Sequence, residues 1–96
     1  MFYVYIITNK KNGVLYIGHT DDLPQRLDQH EHGVFKGFSK KYNLKRLVCY
    51  EAYETRQEAF TRERQMKKWN RAWKIKLIEE NNPKWADLRR DFGWLP

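Results

Sequence analysis

A single cysteine, Cys49, is all the thiol chemistry this 96-residue sequence holds. No intramolecular disulfide can form and no multi-cysteine zinc site can be built, which suits a reducing cytoplasm. Acidic residues are also scarce, with 12 Asp and Glu against 19 Lys and Arg. No apolar run approaches the roughly 20 residues of a membrane span. The opening "MFYVYIITNKK" lacks the basic n-region of a secretory signal, and its apolar stretch is too short for one. The expectation is a cytoplasmic protein with no membrane partner. Internal repeats, low-complexity tracts and linkers are missing as well, so residues 1–96 read as a single domain.

What is present is a core and a charge. Hydrophobic residues make up 41% and aromatics 16%. A chain of this length buries about 60 to 70% of the surface it exposes when unfolded, which leaves little room for a second module. The formal charge of +7 favours a polyanion as partner. Nucleic acid leads, ahead of a membrane surface or an acidic protein.

Two β-branched and aromatic runs, "FYVYIIT" and "VLYIG", flank the turn-rich "NKKNG" and predict a hairpin over residues 2–8 and 14–18. Period-2 alternation places Phe2, Val4, Ile6, Leu15 and Ile17 on one face and Tyr3, Tyr5, Ile7, Val14, Tyr16 and Gly18 on the other. With Thr8 opposite Gly13, Tyr5 lies across from Tyr16. A tighter Asn12-Gly13 turn keeps the shared face but separates the two tyrosines along it. Asp22 as N-cap, Pro24 in the first turn and Gln25 at the capping-box position predict a helix from Leu23 to His30, with Arg26 and His30 on one face. A loop, "GVFKGFSKKYN", carries three lysines and three aromatics. A third strand over 46–53 follows, then a helix started by Thr55 and Glu58 that runs to about Trp69, a further helical segment through Ile78, and a turn at Asn82-Pro83. Trp69, Trp73, Leu77 and Ile78 are expected to pack the later helices. Trp85, Leu88, Phe92 and Trp94 are expected to fasten the tail.

Glu63 is the most informative single residue. Its helix face carries Ala59, Phe60 and Met66, and a carboxylate aimed at a core is costly unless paired or bound to metal. An ion pair with a neighbouring Lys or Arg is the commoner fate; a divalent-cation ligand is the sharper one. Tyr5 and Tyr16 taken singly are ordinary strand tyrosines. Phe35, Phe38 and Tyr42, interleaved with lysines, are candidates for stacking on bases.

Taken in order, these residues resemble the GIY-YIG nuclease superfamily, and more closely its small stand-alone bacterial members, which are similar to the N-terminal domain of the excision-repair nuclease. "YVY", Tyr3 to Tyr5, stands in place of the first tripeptide, and "YIG", Tyr16 to Gly18, is intact. The resemblance runs from Phe2 to about Leu88 and implies an α/β fold, a small three-stranded antiparallel sheet flanked by helices. It implies Tyr5, Tyr16, Gly18, Arg26 and His30 as catalytic residues and Glu63 as ligand of one Mg2+ or Mn2+. His19, Lys36, Lys40, Lys41 and Asn82 would contact phosphate or nucleic acid, with Asn81 the alternative to Asn82. His19 stands where many relatives have lysine.

The implied activity is phosphodiester hydrolysis, a reaction that needs charge neutralisation and in-line positioning more than a covalent nucleophile. Tyr5 is the candidate general base assisted by His30, Tyr16 positions the water or phosphate, and Arg26 holds the phosphate bidentately. The resemblance favours DNA over RNA and a place in DNA repair, with a protein partner a possible source of specificity. The other reading is a nucleic-acid-binding module on the same scaffold that does not cut.

Overall fold

The computed structural model describes residues 1–31, 42 and 44–93. Three strands, β1 (Phe2–Thr8), β2 (Leu15–Thr20) and β3 (Arg46–Tyr53), form an antiparallel sheet in the order β2-β1-β3. Helix α1 (Leu23–Glu31) follows β2, and α2 (Arg56–Lys68) and α3 (Arg71–Asn81) follow β3. A 3₁₀ turn, Leu88–Phe92, closes the described chain. No helix among the described residues is long and apolar enough to cross a membrane.

Alternation along the strands divides the core as the sequence predicts. Val4, Ile6 and Ile17 pack with Val48, Cys49, Ala59, Met66, Ile78 and Trp85 on the side of α2 and α3. Tyr5 and Ile7 pack with Leu23, Leu27, Leu44 and Leu47 on the side of α1, joined by half-buried Tyr3, Tyr16 and Tyr50. β1 is the central strand and one core cluster packs on each of its faces, so Tyr5 is fully buried. Tyr16 lies on the edge strand and remains half-buried.

The hairpin register lies between the two the sequence suggests. Thr8 pairs with Leu15, so Tyr5 faces Gly18 and Tyr16 faces Ile7. The connection is six residues long, held by Val14 N–H donating to Asn9 Oδ1 at 3.1 Å, Thr8 Oγ1–H to the Lys10 carbonyl at 3.0 Å, and the distant Arg71 guanidinium to the Asn12 carbonyl at 2.7 Å. Asn12 takes a left-handed φ of 58°, a conformation asparagine tolerates better than most residues. β2 also continues through Gly18 to Thr20 rather than stopping at the glycine.

The helix starts follow their sequence signals. Asp22 Oδ1 accepts from Gln25 N–H at 3.1 Å at the head of α1, and Thr55 Oγ1 accepts from Glu58 N–H at 3.2 Å at the head of α2. β3 carries a bulge at Val48, which brings Val48 and Cys49 together into the aliphatic cluster. Trp85 is fully buried, and its Nε1–H donates to Glu79 at 2.8 Å. Trp73 departs from expectation: it is 58% exposed on α3 instead of packed. Phe35, Phe38 and Trp94 lie outside the described residues.

Candidate active site

Tyr5, Tyr16, Gly18, Arg26 and His30 converge where the edge of the sheet meets α1. The Tyr5 hydroxyl and His30 Nε2 are 3.0 Å apart in a buried hydrogen bond between the central strand and the last turn of α1. The Tyr16 ring stands 5.0 Å from the His30 ring and 6.4 Å from that of Tyr5, so the imidazole is framed by both phenols. The positive charge of Arg26, one helical turn before His30, acts on the Tyr5 phenol and opposes the rise that burial causes.

The register explains the glycine. A Cβ on Gly18 would lie 2.5 Å from the Tyr5 hydroxyl oxygen and 2.7 Å from its ring carbon Cζ, far inside contact distance. Gly18 is therefore the floor across which the Tyr5 ring lies on its way to His30. Tyr16 is half-buried because it lies on the edge strand, which continues past the glycine to Thr20.

Burial sets the protonation states. It pushes the Tyr5 phenol well above its ordinary range, with Tyr16 adding to the rise, Arg26 opposing it and Glu63 contributing a smaller rise. Burial and then the Arg26 charge push His30 down to about 4, which keeps the imidazole neutral near pH 7. The Tyr5–His30 bond runs from phenol to imidazole when Nδ1 carries the ring proton, and the other way when Nε2 carries it. Tyr5 is enclosed, and of the two phenols Tyr16 is the half-buried one.

Glu63 projects from α2 toward β2. Its Oε1 is 3.2 Å from His19 Nδ1 and 3.7 Å from Lys67 Nζ, and its side chain is 13% exposed. His19 is thus turned to Glu63 rather than outward to a phosphate. Sequence reasoning misses this pairing, although a signal exists: His19 shares the strand parity of Leu15 and Ile17 and so faces α2. His19 Nδ1 is buried and makes no hydrogen bond among the described residues, despite its closeness to the carboxylate. No group of three or more His, Cys, Asp or Glu able to hold a metal occurs among the described residues.

Asn82 is bonded to the protein's own backbone. It is buried, its Nδ2–H donates to the carbonyls of Val48 at 3.2 Å and Ala86 at 2.9 Å, and its Oδ1 accepts from Ala86 N–H at 2.9 Å. Its amide serves the carbonyl freed by the β3 bulge and ties the end of α3 to the sheet. Asn81 is exposed at the end of α3. Lys36, Lys40 and Lys41 lie outside the described residues.

The sheet is flanked by helices as in an α/β domain, and the family model described as the GIY-YIG catalytic domain matches residues 1–76, which supports a nuclease-type function. The chain belongs to the GIY-YIG family. Within it, the chain is similar to small proteins that carry no assigned activity in their names. The UPF0213 proteins of Staphylococcus saprophyticus and Staphylococcus aureus are each 36% identical over 78 residues, covering 81% of this chain and 94% of theirs. The solution NMR structure of the UPF0213 protein BH0048 from Bacillus halodurans aligns with a TM-score of 0.57 at 27% identity, over 94% of this chain and 96% of that one.

Proposed function

We propose that this protein is a divalent-metal-dependent endonuclease that hydrolyses phosphodiester bonds, with DNA the favoured substrate. The observation that carries the reading is the buried Tyr5–His30 hydrogen bond with Arg26 and half-exposed Tyr16 beside it. An ordinary packed tyrosine needs no neutral imidazole behind it and no guanidinium at its oxygen. Family membership supports a nuclease-type function and nucleic-acid binding.

Arg26 binds the scissile phosphate and spreads its developing charge over a planar donor array. Tyr16 meets the water at the solvent-facing side. Tyr5 and His30 form the proton acceptor behind it: as the phenol oxygen gains a proton, its own passes to His30 Nε2, leaving a neutral phenol and an imidazolium. No phenolate forms, so the raised affinity of Tyr5 for its proton is no obstacle. Arg26 is one of the two causes that hold His30 low. A phosphate paired with Arg26 reduces that contribution, so substrate binding itself makes the imidazole a better acceptor.

Glu63 is the carboxylate that would hold the divalent cation, with the orphaned His19 Nδ1 beside it as a second donor. Lys67, half-exposed on its own helix, gives way by rotating into solvent. When bound, the ion supplies charge neutralisation on the phosphate.

The binding-module reading keeps one observation in its favour, which is that Lys67 on the same helix already pairs with Glu63 at 3.7 Å. Cleavage of single-stranded, duplex, flapped and branched DNA and RNA with Mg2+, Mn2+ or EDTA, alongside Glu63→Gln, separates the two. Metal-dependent products that vanish in the variant are expected. Binding without cleavage by both proteins across the panel would overturn the nuclease reading in favour of the module.

A further inference from the structure

The second unusual surface lies away from Tyr5 and His30, where α2 meets α3. A groove of about 530 Å³ is lined there by Arg62, Trp69, Trp73, Lys76, Leu77 and Glu80, within the size of clefts that take small ligands. Trp73 is the largest side chain left open on the described surface, at 58% exposure, and Trp69 meets it edge to face with ring centroids 6.4 Å apart. The Arg62 guanidinium covers Trp69 at 4.9 Å and is itself held by Glu51 at 2.8 and 3.1 Å. Trp69 is thus fixed and Trp73 is presented.

Charge identifies the occupant. Residues 56–81, which span both helices, carry eight Lys and Arg against four Glu, a net +4 of the protein's +7. Lys76, one turn after Trp73, is exposed at the groove. Glu80, one turn further, closes that end to phosphate. An open indole with a cation beside it suits a nucleobase, whose π-face stacks on the ring while its phosphate meets the ammonium.

We propose that Trp73 is a stacking platform for an unpaired base, with Lys76 on the adjoining phosphate, so that the protein engages a single-stranded stretch of its nucleic acid through α3. This rests on the nucleic-acid reading above but not on catalysis. A duplex offers no free base face, so the groove gives preference to substrates with single-stranded character.

Fluorescence anisotropy of a labelled oligothymidylate and of a blunt duplex, both in EDTA, tests it with wild type, Trp73→Ala, Trp73→Phe and Lys76→Ala, each checked for folding by circular dichroism. Trp73→Ala should bind the oligothymidylate about 5- to 100-fold more weakly, while Trp73→Phe keeps most of the affinity and duplex binding stays near wild type. Lys76→Ala should lower the salt slope by about one. Oligothymidylate should quench wild-type tryptophan emission more than that of Trp73→Phe. Equal oligothymidylate affinity in wild type and Trp73→Ala overturns the platform and leaves the nucleic-acid reading standing. A wild type that binds neither probe overturns both. A dimer in sedimentation that Trp73→Ala dissociates without changing oligothymidylate affinity overturns the platform by making the groove an interface between copies.

Discussion

The two faces of the sheet are built from the same three strands and do different work. Toward α2 and α3, strand side chains are mostly aliphatic, with Val4, Ile6, Ile17 and Val48 closing on Met66 and Ile78. Toward α1, they are aromatic with polar tips, and Tyr5, Tyr16, Tyr3 and Tyr50 surround His30 or the 3₁₀ turn. An aliphatic face gains stability from burial alone. The aromatic face gives up part of that gain to desolvate hydroxyls and an imidazole, which it can do only by hydrogen-bonding them to one another. A small domain can hold a buried tyrosine–histidine pair because its other face supplies the stability.

Adjacent residues on β1 provide the sharpest way to break this comparison. Tyr5→Phe removes one oxygen from the aromatic face and is expected to lower the cleavage rate by about 10²- to 10⁴-fold, with stability changed by only about 1 kcal/mol. Ile6→Ala, one position on, opens a cavity in the aliphatic face and is expected to cost about 2 to 5 kcal/mol of stability, with the rate per folded molecule near wild type. Denaturant melts and single-turnover cleavage on both variants decide it. If the two mutations affected rate and stability in the same proportion, the division of labour would be wrong.

Gly18→Ala tests the boundary between the faces. Its methyl carbon would meet the Tyr5 ring at 2.5 to 2.7 Å, so the phenol must move from His30. A loss of about 1 to 3 kcal/mol is expected from overpacking, with a rate defect close to that of Tyr5→Phe. A variant that melts lower yet cleaves at the wild-type rate would show that the glycine serves packing only.

The division between faces is legible because strand parity needs only local sequence: Val4 and Ile6 against Tyr5, and Ile17 against Tyr16, follow from period 2. Register is not legible, because parity survives a two-residue slip and the loop is held by Arg71, whose position depends on α3. The capping signals at Asp22 and Thr55 are readable for the same reason that parity is: their hydrogen bonds reach only three residues. Asn82 escapes a local reading because its partners, a bulge carbonyl at Val48 and Ala86, arise only after β3 and the tail have folded against each other. Trp73 escapes it because its helix has little contrast between faces: apolar Trp73, Ile75, Leu77 and Ile78 are interleaved with lysines around the turn.

The smallest effect separates the faces by pH. His30 is held down to about 4 in the folded protein, against about 6.5 for an unperturbed histidine. Between those values the unfolded chain binds a proton that the native site refuses, so stability falls as pH falls through this window and is fully retained above it. The expected loss from pH 6.5 to 5 is roughly 1.5 kcal/mol from this group. Carboxylates titrate over part of the same range, so the comparison is made against His30→Gln, in which the slope from this residue is removed. Ile6→Ala serves as the second control, because a lesion on the aliphatic face should lower stability by the same amount at every pH and leave the wild-type slope intact. A wild type and a His30→Gln variant with parallel profiles would mean that the folded imidazole takes up its proton as readily as the unfolded one, and burial would then not be what keeps the partner of Tyr5 neutral.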